Sequence, residues 1–290
     1  MLYDDVINIL NQHIFEGEKN YLLEKLASSP ERYIGVFRPT KPRAKLVQNL
    51  FQSREIRFGD ALEHLLRELI TELGFSNLNR NLYVEEGNTL FLDQYFTEGE
   101  QYFFIEQKIR DDHDSSKKRG QINNFEAKLS LLYKKHQNNL IGIMYFIDPL
   151  LSKNKKFYAK ELNRLSNIYH IDLFLFYGSE FFEYLNYPGL WIELVEWIKL
   201  WRTDLPDFPH IDFDLSPSES FEEIKTLQPL FWKKLIANEN IWKEGIIRVL
   251  FSDGTTLKLL FGHFSQQQTP EYHGLAKSLL ERINTFYYKL

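Results

Sequence analysis

Two near-continuous apolar runs constrain the fold of this chain more than any other feature. They span residues 140–147 and 171–177. Runs of this kind are typical of strands buried on both faces. Segments of helical periodicity precede them at residues 121–135 and 155–169. With a hairpin at residues 89–108, the order hairpin, helix, strand, helix, strand predicts an α/β (α+β) fold with a central mixed β-sheet flanked by helices.

The hairpin brings together residues that are distant along the chain. The runs on either side of its turn are rich in aromatic and other β-favouring residues. Residues 97–100 predict a tight turn, because Gly99 tolerates a positive φ. If Glu98 and Gly99 are the two loop residues, Asp93 in the first strand lies opposite Phe104 in the second.

Three charged side chains are then predicted to share one face of the hairpin. They are Asp93, Glu106 and Lys108, which follow the period-two alternation of a strand. Two carboxylates on one face repel each other unless a cation lies between them, and Mg²⁺ prefers oxygen ligands. Such a site would activate a water against a phosphodiester, and Lys108 would orient that water or stabilise negative charge. The alternative interpretation is an edge-strand salt bridge.

The tripeptide Glu-x-Lys occurs three times in the chain, beginning at Glu106, Glu126 and Glu223. The last two lie in segments of helical periodicity, where a solvated ion pair is the simpler interpretation. The first ends a β-favouring run and has an acid upstream. The chemistry is therefore assigned to Glu106 and Lys108.

A loop dense in both charge signs follows the hairpin at residues 110–121. Its cations suit phosphate oxygens, and its amides suit base edges or the DNA backbone. The alternative is a solvated loop that caps a helix beginning near Gln121, with Asp114 or Ser115 as turn formers. The candidate DNA contacts are Lys117, Lys118, Arg119, Gln121 and Asn124.

A second basic segment lies at residues 37–45, which contain prolines and no acid. It predicts a clamp on the DNA backbone, since the rest of the chain is acidic. The alternative is a surface loop whose cations pair with acidic neighbours. The candidate contacts are Arg38, Lys41, Arg43 and Lys45.

Taken together, these motifs resemble a known family. Asp93, then Glu106-Gln107-Lys108 across a hairpin, then a helix rich in Gln and Lys resembles the PD-(D/E)XK nuclease superfamily. The Lys-Arg-Gly-Gln run at residues 118–121 is most similar to type II restriction endonucleases. The resemblance covers residues 58–180. It departs from the pattern at Leu92, where the family name has proline.

The resemblance implies a restriction-endonuclease-like core and hydrolysis of duplex DNA at a short specific site. Asp93 and Glu106 would bind Mg²⁺, for which Mn²⁺ can substitute, and Lys108 would be the catalytic base or would orient the water. The expected assembly is a homodimer, because such sites are usually palindromic. A cognate DNA methyltransferase is the expected functional partner.

An amphipathic helix over residues 57–74 precedes the hairpin. In the resembled family a helix at this place often offers an acid to the site. Glu63, beside the apolar stripe, is the best match, with Asp60 one turn earlier as the alternative. The simpler interpretation pairs Glu63 with Arg67 at i+4.

Composition excludes several classes of site. The chain has 290 residues, a net charge of −5 and no cysteine. Disulfides and thiolate metal sites are thereby excluded, which suits a reducing cytoplasm. No apolar run reaches membrane-spanning length, so we expect a cytoplasmic protein without a membrane partner. Because the net charge is acidic, DNA contacts must come from local basic patches.

Three regions are predicted along the chain. Residues 1–57 form a helical N-terminal region that carries the basic segment, and residues 58–203 form the nuclease core. Residues 204–290 form a linker and a small α+β subdomain, in which Asp253-Gly254 predicts a β-hairpin. Two other functions stay open: a repair or junction nuclease of the same fold, and a non-catalytic DNA-binding or interaction module.

Overall fold

The computed structural model describes residues 1–35, 37, 39–83 and 89–288. These residues form two compact units. The sheet unit comprises Met1–His13 and Phe58–Leu205, and the helical unit comprises Ile14–Arg57 and Pro206–Leu290. The domain boundaries expected at 57/58 and 203/204 stay a prediction.

Helices make up most of the described chain. In chain order they are α1 (Tyr3–Phe15), α2 (Glu18–Ser28), α3 (Pro42–Glu72), α4 (Ser115–His136), α5 (Lys155–Tyr169), α6 (Ser179–Tyr184), α7 (Pro188–Thr203), α8 (Pro217–Ile224), α9 (Pro229–Ala237), α10 (Glu239–Lys243), α11 (Ile246–Leu250), α12 (Thr255–Gln266) and α13 (Pro270–Tyr287). Short 3₁₀ turns lie at Pro30–Arg32, Gln137–Asn139 and Phe213–Leu215. None of the helices in the described ranges is long and apolar enough to cross a membrane.

In the part of the chain that the structure describes, all strands belong to the sheet unit. They are β1 (Ser76–Asn77), β2 (Asn81–Tyr83), β3 (Thr89–Phe91), β4 (Gln94–Glu98), β5 (Gln101–Lys108), β6 (Leu140–Phe146) and β7 (Leu173–Tyr177). Five of them form one sheet in the order β1-β4-β5-β6-β7, and β2 pairs with β3 separately. The β1-β4-β5 ladders are antiparallel, whereas β5, β6 and β7 run parallel. The predicted mixed sheet flanked by helices is therefore confirmed.

The first apolar run became a parallel strand because both faces of β6 are covered, whereas most residues of β7 are half-buried. Every residue of β6 is buried. On one face Phe104 and Met144 belong to a core with Phe125 of α4 and Leu162 of α5. On the other, leucines of α3 lie close to Tyr145. This two-sided burial fixes the sheet and the parallel end of β5, where the charged residues lie.

The hairpin forms, but its turn lies one residue later than expected. Glu98 pairs with Gln101, so the loop residues are Gly99 and Glu100. Gly99 takes the positive φ of 58° that glycine favours. The ladder ends at Gln94 opposite Ile105. Asp93 precedes β4 and lies at the level of Glu106, not Phe104, and it sits in a bend between β3 and β4 instead of within a strand.

Helix α3 is longer than the predicted helix over residues 57–74, because it begins at Pro42. Proline is favoured at a first helical position, where its missing N–H has no partner to lose. As a result Arg43 and Lys45, which were expected in a loop, lie in the first turn of this helix. Helix α4 likewise begins at Ser115, before the predicted start near Gln121.

The predicted C-terminal β-hairpin is wrong, because residues 246–250 and 255–266 are helices α11 and α12. Asp253-Gly254 begins a helix instead of turning a hairpin. The side chain of Asp214 accepts hydrogen bonds from the backbone N–H groups of Gly254 and Thr256, at 2.7 and 2.8 Å. In its described residues the helical unit has helices and 3₁₀ turns only, so the α+β description does not apply to this region.

Candidate active site

The three predicted residues come together at the end of β5. The ammonium of Lys108 lies 2.9 Å from Asp93 Oδ2 and 2.9 Å from Glu106 Oε1. It also donates to the backbone carbonyl of Gln107 at 2.7 Å. Three oxygens from three residues therefore surround one cationic nitrogen.

The two acids are almost fully enclosed. Asp93 is 7% exposed and Glu106 is 2% exposed. The backbone N–H of Gln107 donates to Asp93 Oδ2 at 2.7 Å, which fixes that carboxylate against β5. Gln94 donates to the carbonyl of Glu63 at 2.7 Å and so connects the strand to α3. The Asp93 carboxylate is thus held from the β5 side, and the strand that follows Asp93 is held to α3.

Burial and mutual repulsion act on the ionisation of this pair. Burial raises the pKa of Asp93, and the neighbouring Glu106 raises it further against the two lysines. Burial also acts to raise the pKa of Glu106, but the ammoniums of Lys108 and Lys128 outweigh it and lower the pKa. Burial disfavours the charge on Lys108, yet Glu106 and Asp93 together raise its pKa. Lys108 is therefore firmly protonated.

Lys128 is a site residue that the sequence analysis did not identify. It comes from α4, its side chain is 5% exposed, and its ammonium contacts Glu106 Oε2. It also lies 3.9 Å from Asp93 Oδ1. The solvated ion pair expected for Glu126 and Lys128 is wrong, because Glu126 pairs with Arg164 near the surface and Lys128 is buried. The available signal was position: Lys128 falls on the apolar stripe of α4, where a solvated lysine does not belong.

Asn124 lies one turn before Lys128 on the same face of α4 and donates to Glu106 Oε1 at 3.2 Å. Residues four apart on a helix are neighbours on its surface. One helix face therefore holds both oxygens of the Glu106 carboxylate. The structure brings Asn124 into the candidate site, and its predicted contact with DNA stays a prediction.

Glu63 of α3 faces the same site. Its pKa rises to about 7 through burial and the charge of Asp93, opposed by Lys108 and Arg80. Arg80 lies 3.6 Å from Glu63 and also donates to the carbonyl of Asp93 at 2.8 Å. The expected pairing of Glu63 with Arg67 is not what forms, because Arg67 donates to the carbonyl of Leu78.

The charged loop after β5 is ordered by its own side chains. Asp114 caps α4 by accepting hydrogen bonds from the N–H groups of Ser116 and Lys117, at 3.0 and 2.8 Å. Asp114 is therefore the cap that this alternative expected, but residues 115–121 are the first turns of α4 and not a loop. Lys117 and Arg119 are exposed in the first turns of the helix, and their predicted contacts with DNA stay predictions.

Two other candidates of this loop have partners within the sheet unit. Lys118 donates to the side chain of Asn154 at 3.0 Å. Gln121 is buried and accepts a hydrogen bond from the Tyr158 hydroxyl. Lys118 thus connects α4 to the residue before α5, and Gln121 connects α4 to α5 itself. Their predicted contacts with DNA stay predictions.

The basic segment of the helical unit presents exposed cations. Lys41 and Arg43 are exposed at the start of α3, and Lys45 is half-buried and donates to Gln48 at 2.9 Å. Arg38 lies outside the described residues. The clamp on DNA stays a prediction for all four cations.

The donor set fits a hard divalent cation. Asp93, Glu106 and the carbonyl of Gln107 supply three oxygens around one point, and Mg²⁺ binds through carboxylates, carbonyls and waters. No group of three His, Cys, Asp or Glu side chains suited to a metal occurs in the described ranges. Any site here therefore rests on two carboxylates, a backbone oxygen and water.

Comparison with known proteins places the chain in a family. A family model described as "Type II restriction endonuclease, HinfI" matches residues 2–86 and 83–202. No curated protein matches. A solved structure of Can2 from Sulfobacillus thermosulfidooxidans in complex with cyclic tetra-adenylate is 15% identical, with a TM-score of 0.32. That match covers 68% of this chain and 56% of the other chain.

The family match extends over nearly all of the sheet unit and over residues 14–57 of the helical unit. It agrees with the resemblance to type II restriction endonucleases that the residues around Asp93 and Glu106 predicted. Because the family model matches more than half of the chain, the chain belongs to the HinfI family of type II restriction endonucleases.

Proposed function

We propose that this chain is a Mg²⁺-dependent type II restriction endonuclease with a PD-(D/E)XK site, which hydrolyses phosphodiester bonds at a short specific site in duplex DNA. The observation that carries the proposal is the ring of three oxygens around Lys108 Nζ, from Asp93, Glu106 and Gln107. Family membership supports DNA as the substrate and cleavage as the reaction.

Asp93, Glu106 and the Gln107 carbonyl are the residues that would hold Mg²⁺, or Mn²⁺ in its place. When bound, such a cation neutralises charge on the phosphate and makes a bound water more acidic. Lys108 is protonated beside two acids, so its role is to orient the water or to stabilise negative charge, and not to take a proton.

Glu63 would assist the reaction as the proton acceptor, because it faces the site from α3 and lies 3.6 Å from Arg80, which also donates to the carbonyl of Asp93. A general base works best when its pKa lies near the working pH. The pKa of Glu63 is about 7, and the nearby charges act on it in opposite directions: Asp93 raises this pKa and Lys108 lowers it. We therefore assign Glu63 to accept the proton of the attacking water, directly or through a second water.

Basic residues of both units would bind the DNA backbone. The exposed cations Lys41, Arg43, Lys117 and Arg119 are the strongest candidates. Each phosphate contact contributes about one unit to the slope of log affinity against log salt. Replacing one of these residues by alanine should lower that slope by about one in a mobility-shift titration. An unchanged slope would remove that residue from the interface.

A two-fold homodimer is the assembly we propose, because it places one active site on each strand of a palindromic site. Light scattering of the purified chain, with and without duplex DNA, should give twice the mass of one chain. A cognate methyltransferase that modifies the same site completes the proposed system.

The decisive experiment is incubation of the purified chain with phage DNA in Mg²⁺, in Mn²⁺ or in EDTA. Discrete fragments are expected with either metal and none in EDTA. Asp93→Asn should abolish the fragments. Asp172→Asn, which alters an exposed acid at the start of β7, is the matched control and should cut normally.

Other outcomes have definite meanings. A metal-dependent smear would favour a nuclease without a specific site. A mobility shift on duplex DNA without cutting, unchanged by Asp93→Asn, would contradict the proposal and favour the binding module.

A further inference from the structure

Lys128 presents a feature that the proposed reaction does not need. Its side chain is 5% exposed on the inner face of α4, with Phe125 one turn before it and Leu132 one turn after it, both fully buried. Burial of an ammonium is unfavourable unless it is paired and hydrogen-bonded. Among the residues that the structure describes, Lys128 meets this condition through Glu106 and, at 3.9 Å, through Asp93.

Lys128 therefore shares its two partners with Lys108. Asp93 and Glu106 each lie within ion-pair distance of both ammoniums. Two carboxylates and two ammoniums make this cluster neutral as a whole. The two lysines differ in access to solvent, because the Lys108 side chain is 29% exposed, whereas the Lys128 side chain is 5% exposed.

Entry of a divalent cation would change that balance. With both lysines retained, the cluster would carry a charge of about +2, and like charges at this range repel strongly in a partly buried site. A DNA phosphate at the same place supplies compensating negative charge. The enclosed ammonium thus disfavours metal in the free protein and disfavours it less when DNA is bound.

We propose that Lys128 is a positioning residue that holds Glu106 Oε2 and keeps the affinity of the DNA-free protein for divalent metal low. The inference rests on the proposed function, since it concerns the same metal site. Lys128 acts through Glu106 and through its charge, without touching the substrate.

Removing the charge of Lys128 while keeping its hydrogen bond separates the proposed role from a purely structural one. Only the proposed role predicts tighter binding of metal by such a variant. Lys128→Gln retains a donor for Glu106 Oε2 but loses the ammonium. Lys128→Met fills similar space and loses both. Lys135→Met, which removes an exposed lysine from the same helix, is the matched control.

The test is a calorimetric titration of the intact, DNA-free chain with Mn²⁺. We expect Lys128→Gln to bind Mn²⁺ more tightly than the wild type, by on the order of tenfold or more for the loss of one nearby charge. Lys128→Met should also bind more tightly if it folds, which thermal unfolding in EDTA will show. Lys135→Met should match the wild type.

Equal or weaker Mn²⁺ binding by Lys128→Gln would overturn the inference and leave Lys128 as a packing residue. That failure is distinct from failure of the proposed function. If the wild type does not cut phage DNA with any divalent metal, the function itself is wrong. If the wild type cuts and Lys128→Gln binds Mn²⁺ no more tightly, only the inference is wrong.

Discussion

Replacing Glu63 by glutamine should make the fold more stable at alkaline pH and leave it almost unchanged at acid pH. The folded protein raises the pKa of Glu63 from 4.5 to about 7, mainly through burial and then through Asp93. A group with a raised pKa binds its proton more tightly when the protein is folded. Its contribution to stability is fully present below about pH 4.5 and is lost as the pH rises through 7.

The size of this effect follows from the change in pKa. At about 1.4 kcal/mol for each unit of pKa, a rise from 4.5 to about 7 corresponds to about 3–4 kcal/mol. The Glu63 side chain is 25% exposed, and solvent screening reduces this figure to about 2 kcal/mol. The glutamine variant lacks the titration, so its stability relative to the wild type should rise by that amount between acid and alkaline pH.

The assay is thermal unfolding in EDTA at about pH 5 and about pH 8, where Glu63 is mostly neutral and mostly charged, respectively. The difference in Tm between Glu63→Gln and wild type should grow by about 4 °C or more across this range. Glu126→Gln, on the outer side of α4, is the control. A Tm difference that stays constant with pH would refute the placement of Glu63 beside the acids.

Two further substitutions test the sheet and the loop behind the site. Gly142→Ala should destabilise the protein by about 1–3 kcal/mol. The added Cβ would lie 2.7 Å from both Leu173 Cδ2 and Phe104 Cε1. Chemical denaturation measures the change in the free energy of unfolding. Tyr177→Phe should lower stability by about 1.5–3 kcal/mol, because its hydroxyl donates to the buried carboxylate of Asp111 at 2.9 Å; the loss should appear as a lower midpoint of denaturation, and an unchanged midpoint would contradict the assigned bond.

Much of the sheet unit could be predicted from the sequence, because a strand in the interior of a sheet is visible in the sequence as an apolar run. Residues of β6 and β7 are apolar at nearly every position, and this pattern has few other solutions. Asp93, Glu106 and Lys108 could be placed on one face because the strand period is two. The one-residue error in the turn did not separate them, since it moved Asp93 nearer to Glu106.

What could not be predicted depends on distant contacts. Glu126-Ala127-Lys128 has the sequence of a solvated helical pair, yet Lys128 is buried because Glu106, 22 residues earlier, meets it across the core. Asp253-Gly254 suits a hairpin turn and a helix start equally. The helix forms because the carboxylate of Asp214 accepts the free N–H groups at its start, about 40 residues away in sequence.

The most direct test of the central claim compares two glutamates of the same tripeptide motif. The carboxylate of Glu106 contacts Lys108 and Lys128. Single-turnover cleavage of phage DNA in Mg²⁺ should therefore be abolished by Glu106→Gln. The carboxylate of Glu126 pairs with Arg164 instead, so the cleavage rate should be unchanged by Glu126→Gln. Both variants should retain a mobility shift on duplex DNA. Cleavage at the wild-type rate by Glu106→Gln would contradict the assignment of the active site.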